Sequence, residues 1–167
     1  ENYDEDLDAF INRDYLYFVQ IMNIEREKEN PRKDYAKYSD IWPAIRFFDE
    51  SYYRLSLRQG FTFNPQFNRE TIEEVLLAIA KNTDLSKDEQ TWFSDLKSLS
   101  ETLKFAGSGK ILKQNPNTYI GHVGDVAEML RIALTGSKQS PNLYYVMKIL
   151  GIERIRDRIA KVVEKLQ

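Results

Sequence analysis

Apolar residues spaced three and four apart dominate this chain, and that spacing commits it to helices. Within residues 69–81, Ile72, Val75, Leu76 and Ile79 fall on one helical face. Thr71 stands three residues before Glu74, and Ser86 three before Glu89, which is the spacing of an N-terminal capping box. Trp92, Leu96, Leu99 and Leu103 continue the pattern. So do Val126, Met129, Leu130, Ala133 and Leu134, a stripe that stops at Gly136, a residue suited to the left-handed turn closing a helix. Ser140-Pro141 predicts an N-cap followed by the first helical position, where the hydrogen missing from proline costs nothing. That helix runs to Gly151. A last helix over 153–166 puts Ile155, Ile159, Val162, Val163 and Leu166 on one face, with Arg154, Arg158, Lys161 and Lys165 off it.

The first third is helical too and denser in aromatics. Leu7, Phe10 and Ile11, then Leu16, Phe18, Val19 and Met22, predict one helix or two joined near Asn12. Asn30-Pro31 is a stop, because a residue before proline avoids the α region. Ser39 or Asp40 is placed to cap a helix running from Trp42 to Phe48. The clearest seam is Gln59-Gly60 to Asn64-Pro65. A second loop, residues 107–124, is long and holds Lys110 and Lys113 but no acid. Only Phe61-Thr62-Phe63 offers a brief strand. The expected fold class is all-α, in two small helical units, residues 1–57 and 58–167.

Composition removes several kinds of chemistry. There are no cysteines, so a disulfide scaffold, a thiolate metal site and a thiol nucleophile are excluded. A single histidine, His122, makes a histidine-based metal centre a poor expectation. No run approaches the apolar length of a membrane span. The start at Glu1 and the acidic opening are unlike a signal peptide and suggest a piece cut from a longer chain. Net charge is −2, yet its distribution is lopsided: residues 1–103 carry an excess of eight acids and residues 104–167 an excess of six bases. Such asymmetry points to a polyanion-facing end.

Three tempting patterns fail. Gly107-Ser108-Gly109-Lys110 lacks the earlier glycine and following hydroxyl of a phosphate loop, which are Lys104 and Ile111 here, so a flexible linker is the better reading. Tyr119-Ile120-Gly121-His122 is similar to a class I synthetase nucleotide signature. That signature opens a doubly wound domain, for which the remaining residues are too few and too helical; His122 is then a loop histidine. The acid pairs Asp49-Glu50 and Glu73-Glu74 border apolar stripes and read as solvated surface.

What remains is binding. A basic C-terminal part holds Arg131, the turn 136–141 and a helix N-terminus with its positive dipole end, suited to phosphates or base edges. Arg131, Ser140 and an apolar ledge of Pro141 and Leu143 suit splayed single-stranded bases. The alternative of another class is a helical protein-interaction module without RNA binding.

The stretches Met129-Leu130-Arg131-Ile132-Ala133-Leu134-Thr135-Gly136, Ser140-Pro141-Asn142-Leu143, Ile149-Leu150-Gly151-Ile152-Glu153-Arg154 and Arg158-Ile159 resemble the C-terminal end of bacterial glutamyl-tRNA synthetases. Phe10-Ile11-Asn12-Arg13-Asp14-Tyr15-Leu16, Pro31-Arg32-x-Asp34 and Phe47-Phe48 resemble the front of the same region. The middle, about 58–105, matches only in helical character. The resemblance implies an all-α, cage-like anticodon-binding region of two subdomains, belonging to a ligase that attaches glutamate to tRNA with ATP and magnesium. The catalytic domain and both nucleotide-binding signatures of that ligase lie outside this sequence, so the chain alone is expected to be inactive and to hold no cofactor. By the same resemblance Arg131, Ser140, Pro141 and Leu143 contact anticodon bases, Lys113 stands where relatives carry Arg, and Arg32 helps to read the third anticodon base. Glutamate tRNA is the implied partner, with glutamine tRNA left open, alongside the upstream catalytic domains. A cytoplasmic monomer is implied.

Overall fold

The computed structural model describes residues 3–31 and 35–167. Arg32, one of the expected site residues, lies outside them. Short polar side chains set the helix boundaries. α1 (Tyr3–Arg13) and α2 (Tyr15–Met22) break at Asp14, whose carboxylate accepts from the Tyr17 amide at 3.0 Å. The break therefore falls two residues beyond Asn12. A 3-10 turn, Tyr38–Asp40, leads into α3 (Ile41–Ile45), a second 3-10 turn (Arg46–Phe48) and α4 (Glu50–Gln59). Asp40 does not cap α3; its carboxylate accepts from the amides of Ala36 and Lys37, both at 3.2 Å. The aromatics of this third pack on one another, Phe10 on Trp42 at 5.6 Å and Tyr17 edge-on to Phe48 at 6.0 Å.

Beyond the seam at residues 60–68, which forms no helix or strand, come α5 (Arg69–Asn82) and α6 (Glu89–Thr102). Their caps are Asn68, accepting from Thr71, and Asp88, accepting from Thr91, each at 2.8 Å. The expected caps Thr71 and Ser86 therefore give way to stronger acceptors upstream and downstream of them. The long loop is structured. β1 (Phe105–Ala106) and β2 (Gly121–His122) form a short parallel pair around α7 (Gly109–Gln114). Gly107 is buried and Ser108 caps α7 through the Ile111 amide at 3.2 Å, which corrects the flexible-linker reading. Phe61-Thr62-Phe63 forms no strand. α8 (Val123–Thr135) opens on His122, whose Nδ1 accepts from the Gly124 amide at 2.9 Å while Asp125 accepts from the His122 amide at 2.8 Å. The single histidine is a helix cap.

α8 stops at Gly136 (φ 74°), as expected of a left-handed closing residue. α9 (Leu143–Leu166) is bent at Gly151, where φ 78° and ψ 159° leave helical geometry, so the two predicted C-terminal helices meet there. Its cap is Asn142 and not Ser140. α5, α8 and α9 pack on one another around Val75, Leu76, Ile79, Leu130, Val146, Met147, Ile155 and Ile159, and one apolar cluster joins this bundle to the aromatic first third. The fold is all-α apart from the two-residue ladder. Among the described residues no helix is long and apolar enough to cross a membrane.

Candidate nucleic-acid interface

A cleft of about 580 Å³ lies where the first third meets the turn between α8 and α9. One wall is Pro43, Ala44 and Arg46 of the α3 segment with Tyr52 and Ser56 of α4; the other is Thr135 to Ser137 with Gln139 to Pro141. Hydroxyls hold the second wall in shape. Thr135 Oγ1 donates to the Arg131 carbonyl at 2.8 Å and accepts from the Ser137 amide at 3.2 Å, and Ser137 Oγ accepts from the Gln139 amide at 3.1 Å.

Arg131 reaches this wall. Its Nε donates to Ser140 Oγ at 3.0 Å, and that hydroxyl donates on to the Pro141 carbonyl at 2.7 Å. Both side chains are half-buried. The pair expected from sequence is therefore joined, with its guanidinium neither sunk in the core nor on the far side of the molecule. The expected apolar ledge is largely closed: Pro141 is buried although it lines the cleft, and Leu143 is only 4% exposed because it packs into the core. Lys113 is exposed on α7, which packs against β1 and β2, and no hydrogen bond or ion pair among the described residues joins it to Arg131 or Ser140.

The start of α9 is capped and flanked by carboxylates, unlike the open anion site expected there. Asn142 Oδ1 accepts from the Tyr144 amide at 3.0 Å, and its Nδ2 donates to Glu25 Oε1 and Glu89 Oε1, both at 2.7 Å. Lys28 Nζ bridges the same carboxylates, at 2.7 Å from Glu25 and 3.0 Å from Glu89. Its hydrogen bonds to Glu25 and Glu89 hold the Lys28 ammonium above its ordinary pKa. Two carboxylates at a helix N-terminus already satisfy its positive end, and a phosphate arriving there meets like charge.

The acid pair Asp49-Glu50 is likewise not idle surface. Asp49 is buried, caps α4 through the Tyr52 amide at 2.9 Å and pairs with Arg13. Glu50 Oε1 accepts from Arg158 Nη2 at 2.6 Å. The sequence reading missed Arg46 and Tyr52, which face each other across the start of α4 with the guanidinium 4.6 Å from the ring centre. They are six positions apart, which is not a helical neighbour spacing, so no periodic signal marks them. Nor does the chain fit a nucleoside triphosphate at Gly107-Ser108-Gly109-Lys110: a Cβ at Gly107 would stand 2.4 Å from the Glu101 carboxylate and 2.5 Å from Lys97, and the Ser108 hydroxyl is spent on its helix.

A family model described as an anticodon binding domain matches residues 120–163, which take in α8, the turn and most of α9. The chain is 31% identical over 159 residues to the glutamate–tRNA ligase of Clostridium perfringens strain 13, covering 95% of this chain and 29% of that protein. It is 32% identical over 160 residues to the glutamate–tRNA ligase of Sorangium cellulosum, covering 95% and 28%. With the enzyme of that name from Acetivibrio thermocellus it is 30% identical over 144 residues, 86% and 26%. The chain thus spans under a third of the length of these relatives, and the similarity runs through the middle segment as well as the C-terminal stretch. Matched along nearly all its length, and all-α as that region should be, the chain belongs with the C-terminal anticodon-binding regions of the glutamate–tRNA ligase family.

Proposed function

We propose that this chain binds the anticodon loop of glutamate tRNA in the cleft between the α3–α4 segment and the α8–α9 turn, as the tRNA-reading part of a ligase that joins glutamate to tRNA. The observation that carries this is the Arg131–Ser140 pair at a cleft with a cation and an aromatic ring, Arg46 and Tyr52, on its other wall. Unpaired bases are bound by stacking on rings and guanidinium planes and by hydrogen bonds along their edges, and this cleft offers both. Pro141 lines the cleft and Leu143 supports its wall from beneath, while Lys113, and Arg32 beyond the described residues, meet phosphate or the third base. On this reading residues 1–57 and 58–167 are the two anticodon-binding subdomains. ATP and magnesium are held outside this chain, in keeping with the poor fit of its only glycine-lysine segment, so the chain alone is inactive. The protein works in the cytoplasm as a monomer; glutamine tRNA is a second candidate substrate.

The test is titration with a glutamate tRNA transcript and with a transcript changed only in the anticodon, at several salt concentrations. The cognate transcript should bind more tightly at every salt concentration. Equal binding to both removes base reading, and absence of salt-dependent binding removes the RNA altogether.

A further inference from the structure

Arg158 is the largest side chain wholly shielded from solvent, at 0% exposure. A guanidinium is an expensive group to bury, and an apolar side chain of its size usually stabilises such a place as well or better. Its contacts indicate a different use. Nη1 donates to the Leu134 carbonyl at 2.6 Å, Nη2 donates to Glu50 Oε1 at 2.6 Å, and the guanidinium carbon lies 3.9 Å from the centre of the Tyr53 ring. Nε has no hydrogen-bond partner. The Tyr53 hydroxyl donates to the Ala133 carbonyl at 2.6 Å. Two of the last carbonyls of α8, which no helical amide reaches, are therefore taken by α9 through Arg158 and by α4 through Tyr53.

These attachments connect the two walls of the cleft. Immediately after Leu134 come Thr135 and Gly136 of one wall, and Arg131 stands one turn before. On the other side Tyr52 and Ser56 flank Tyr53 on α4. We propose that Arg158, with Glu50 and Tyr53, is a positioning cluster that fixes the gap between the cleft walls and thereby sets how sharply the chain discriminates one anticodon from another. This rests on the anticodon reading of the cleft. The cluster touches no RNA; it holds α4 and the end of α8 at one separation, so that Arg131 and the Arg46–Tyr52 wall meet a base together. Preorganised sites lose selectivity when their supporting contacts loosen, even where the contacting residues remain.

The experiment uses the full-length protein that contains this chain and measures the ratio of affinities for the cognate and the anticodon-changed transcript. Tyr53→Phe deletes one attachment and Glu50→Gln removes the charge from another while keeping an acceptor oxygen, both without changing side-chain size much, and Arg158→Met replaces the charge with an apolar group. Ile79→Val, in the α5 core away from the cleft, serves as a stability control. In the Tyr53→Phe and Glu50→Gln proteins the ratio should fall by about tenfold, with the salt dependence of binding unchanged and the control protein keeping the wild-type ratio. Arg158→Met should behave in the same way if it folds; if it does not, the two milder variants decide. A ratio within about twofold of wild type in both milder variants, at whatever cost in melting temperature, overturns the positioning role alone. A wild-type protein that binds both transcripts equally overturns the anticodon reading and this proposal with it.

Discussion

The proposed base reading turns on a single side chain that reaches the cleft wall through Ser140. Arg131 Nε is engaged by Ser140 Oγ at 3.0 Å, which orients the guanidinium plane, and a planar fork is what recognises a base edge through two hydrogen bonds. Arg131→Ala should therefore weaken cognate binding by about 1–3 kcal/mol and narrow the difference between cognate and changed anticodons. Ser140→Ala should cost less, about 0.5–1.5 kcal/mol, because it removes the orienting hydroxyl and leaves the guanidinium. Equilibrium titration of both variants with the two transcripts checks the order. At this scale the sequence suffices to bring Arg131 and Ser140 together, since one lies just ahead of a helix end and the other in the turn that follows, nine positions on. It is misleading for Asp49, Glu50 and Arg158. The two acids read as solvated surface and Arg158 reads as off the apolar face of its helix, whereas their partners lie 36 positions away for Asp49 and 108 for the Glu50–Arg158 pair. No local pattern carries such pairings. The same burial pushes the Tyr53 hydroxyl well above its ordinary pKa of 10, so it remains a donor to Ala133.

Five helices, α2, α4, α5, α6 and α9, begin where an Asn or Asp side chain reaches an amide two or three residues on, and at α5 and α6 this outranks the box spacing. Asn68 and Asp88 hold caps that the spacing assigns to Thr71 and Ser86, and Asn142 holds the one that the Ser-Pro step assigns to Ser140. For Asp88 the Thr91 amide holds the carboxyl below its ordinary value of 3.8. A depressed folded pKa means that the cap stabilises above the ordinary value and is lost as pH falls through the depressed one. Asp88→Asn keeps an acceptor that does not titrate, so in an acid unfolding series followed by helical circular dichroism the variant should show a flatter loss of stability below about pH 4. Asn142 is the more demanding case. Aspartate is as good a cap as asparagine on a solvated helix, but here it would give up both donations to Glu25 and Glu89 and add a third carboxylate beside them, with Lys28 the cation bridging the pair. Asn142→Asp should therefore destabilise by at least as much as Asn142→Ala, about 1–3 kcal/mol at neutral pH, and thermal unfolding of the two variants side by side measures it. Helix existence and the breaks at Gly136 and Gly151 are legible because apolar periodicity and a left-handed glycine act locally. The helix inside residues 107–124 is not, since its six residues carry too little periodicity to announce it.

Across the whole molecule, the lopsided charge points toward nucleic acid more strongly than the folded surface does. Many of the cations after residue 103 are engaged within the protein, and one of them, Arg158, meets an acid from the acidic part of the chain. Arg158 pairs with Glu50, Lys138 with Glu128 and Lys161 with Asp157; Arg154 donates to Tyr17 Oη, Arg156 to the Ala80 carbonyl, Lys148 to the Leu85 carbonyl and Lys165 to the Arg58 carbonyl. Exposed lysines of the β1–α7 segment, Lys104, Lys110 and Lys113, make no side-chain hydrogen bond or ion pair among the described residues. A charge count taken along the sequence cannot separate these two populations, because folding decides which cations meet carboxylates and carbonyls. The consequence is a modest salt dependence. Every phosphate neutralised on a single-stranded segment contributes about 0.7 to the slope of log affinity against log salt. If Lys113 meets a phosphate, Lys113→Ala should reduce that slope by roughly this amount and weaken both transcripts equally, leaving their ratio intact. That is the opposite signature to Arg131→Ala, which should change the ratio far more than the slope. Titrating both variants over the same salt series separates the group that attracts the backbone from the group that reads the base. A changed ratio on loss of Lys113 would move base reading away from the cleft and onto α7.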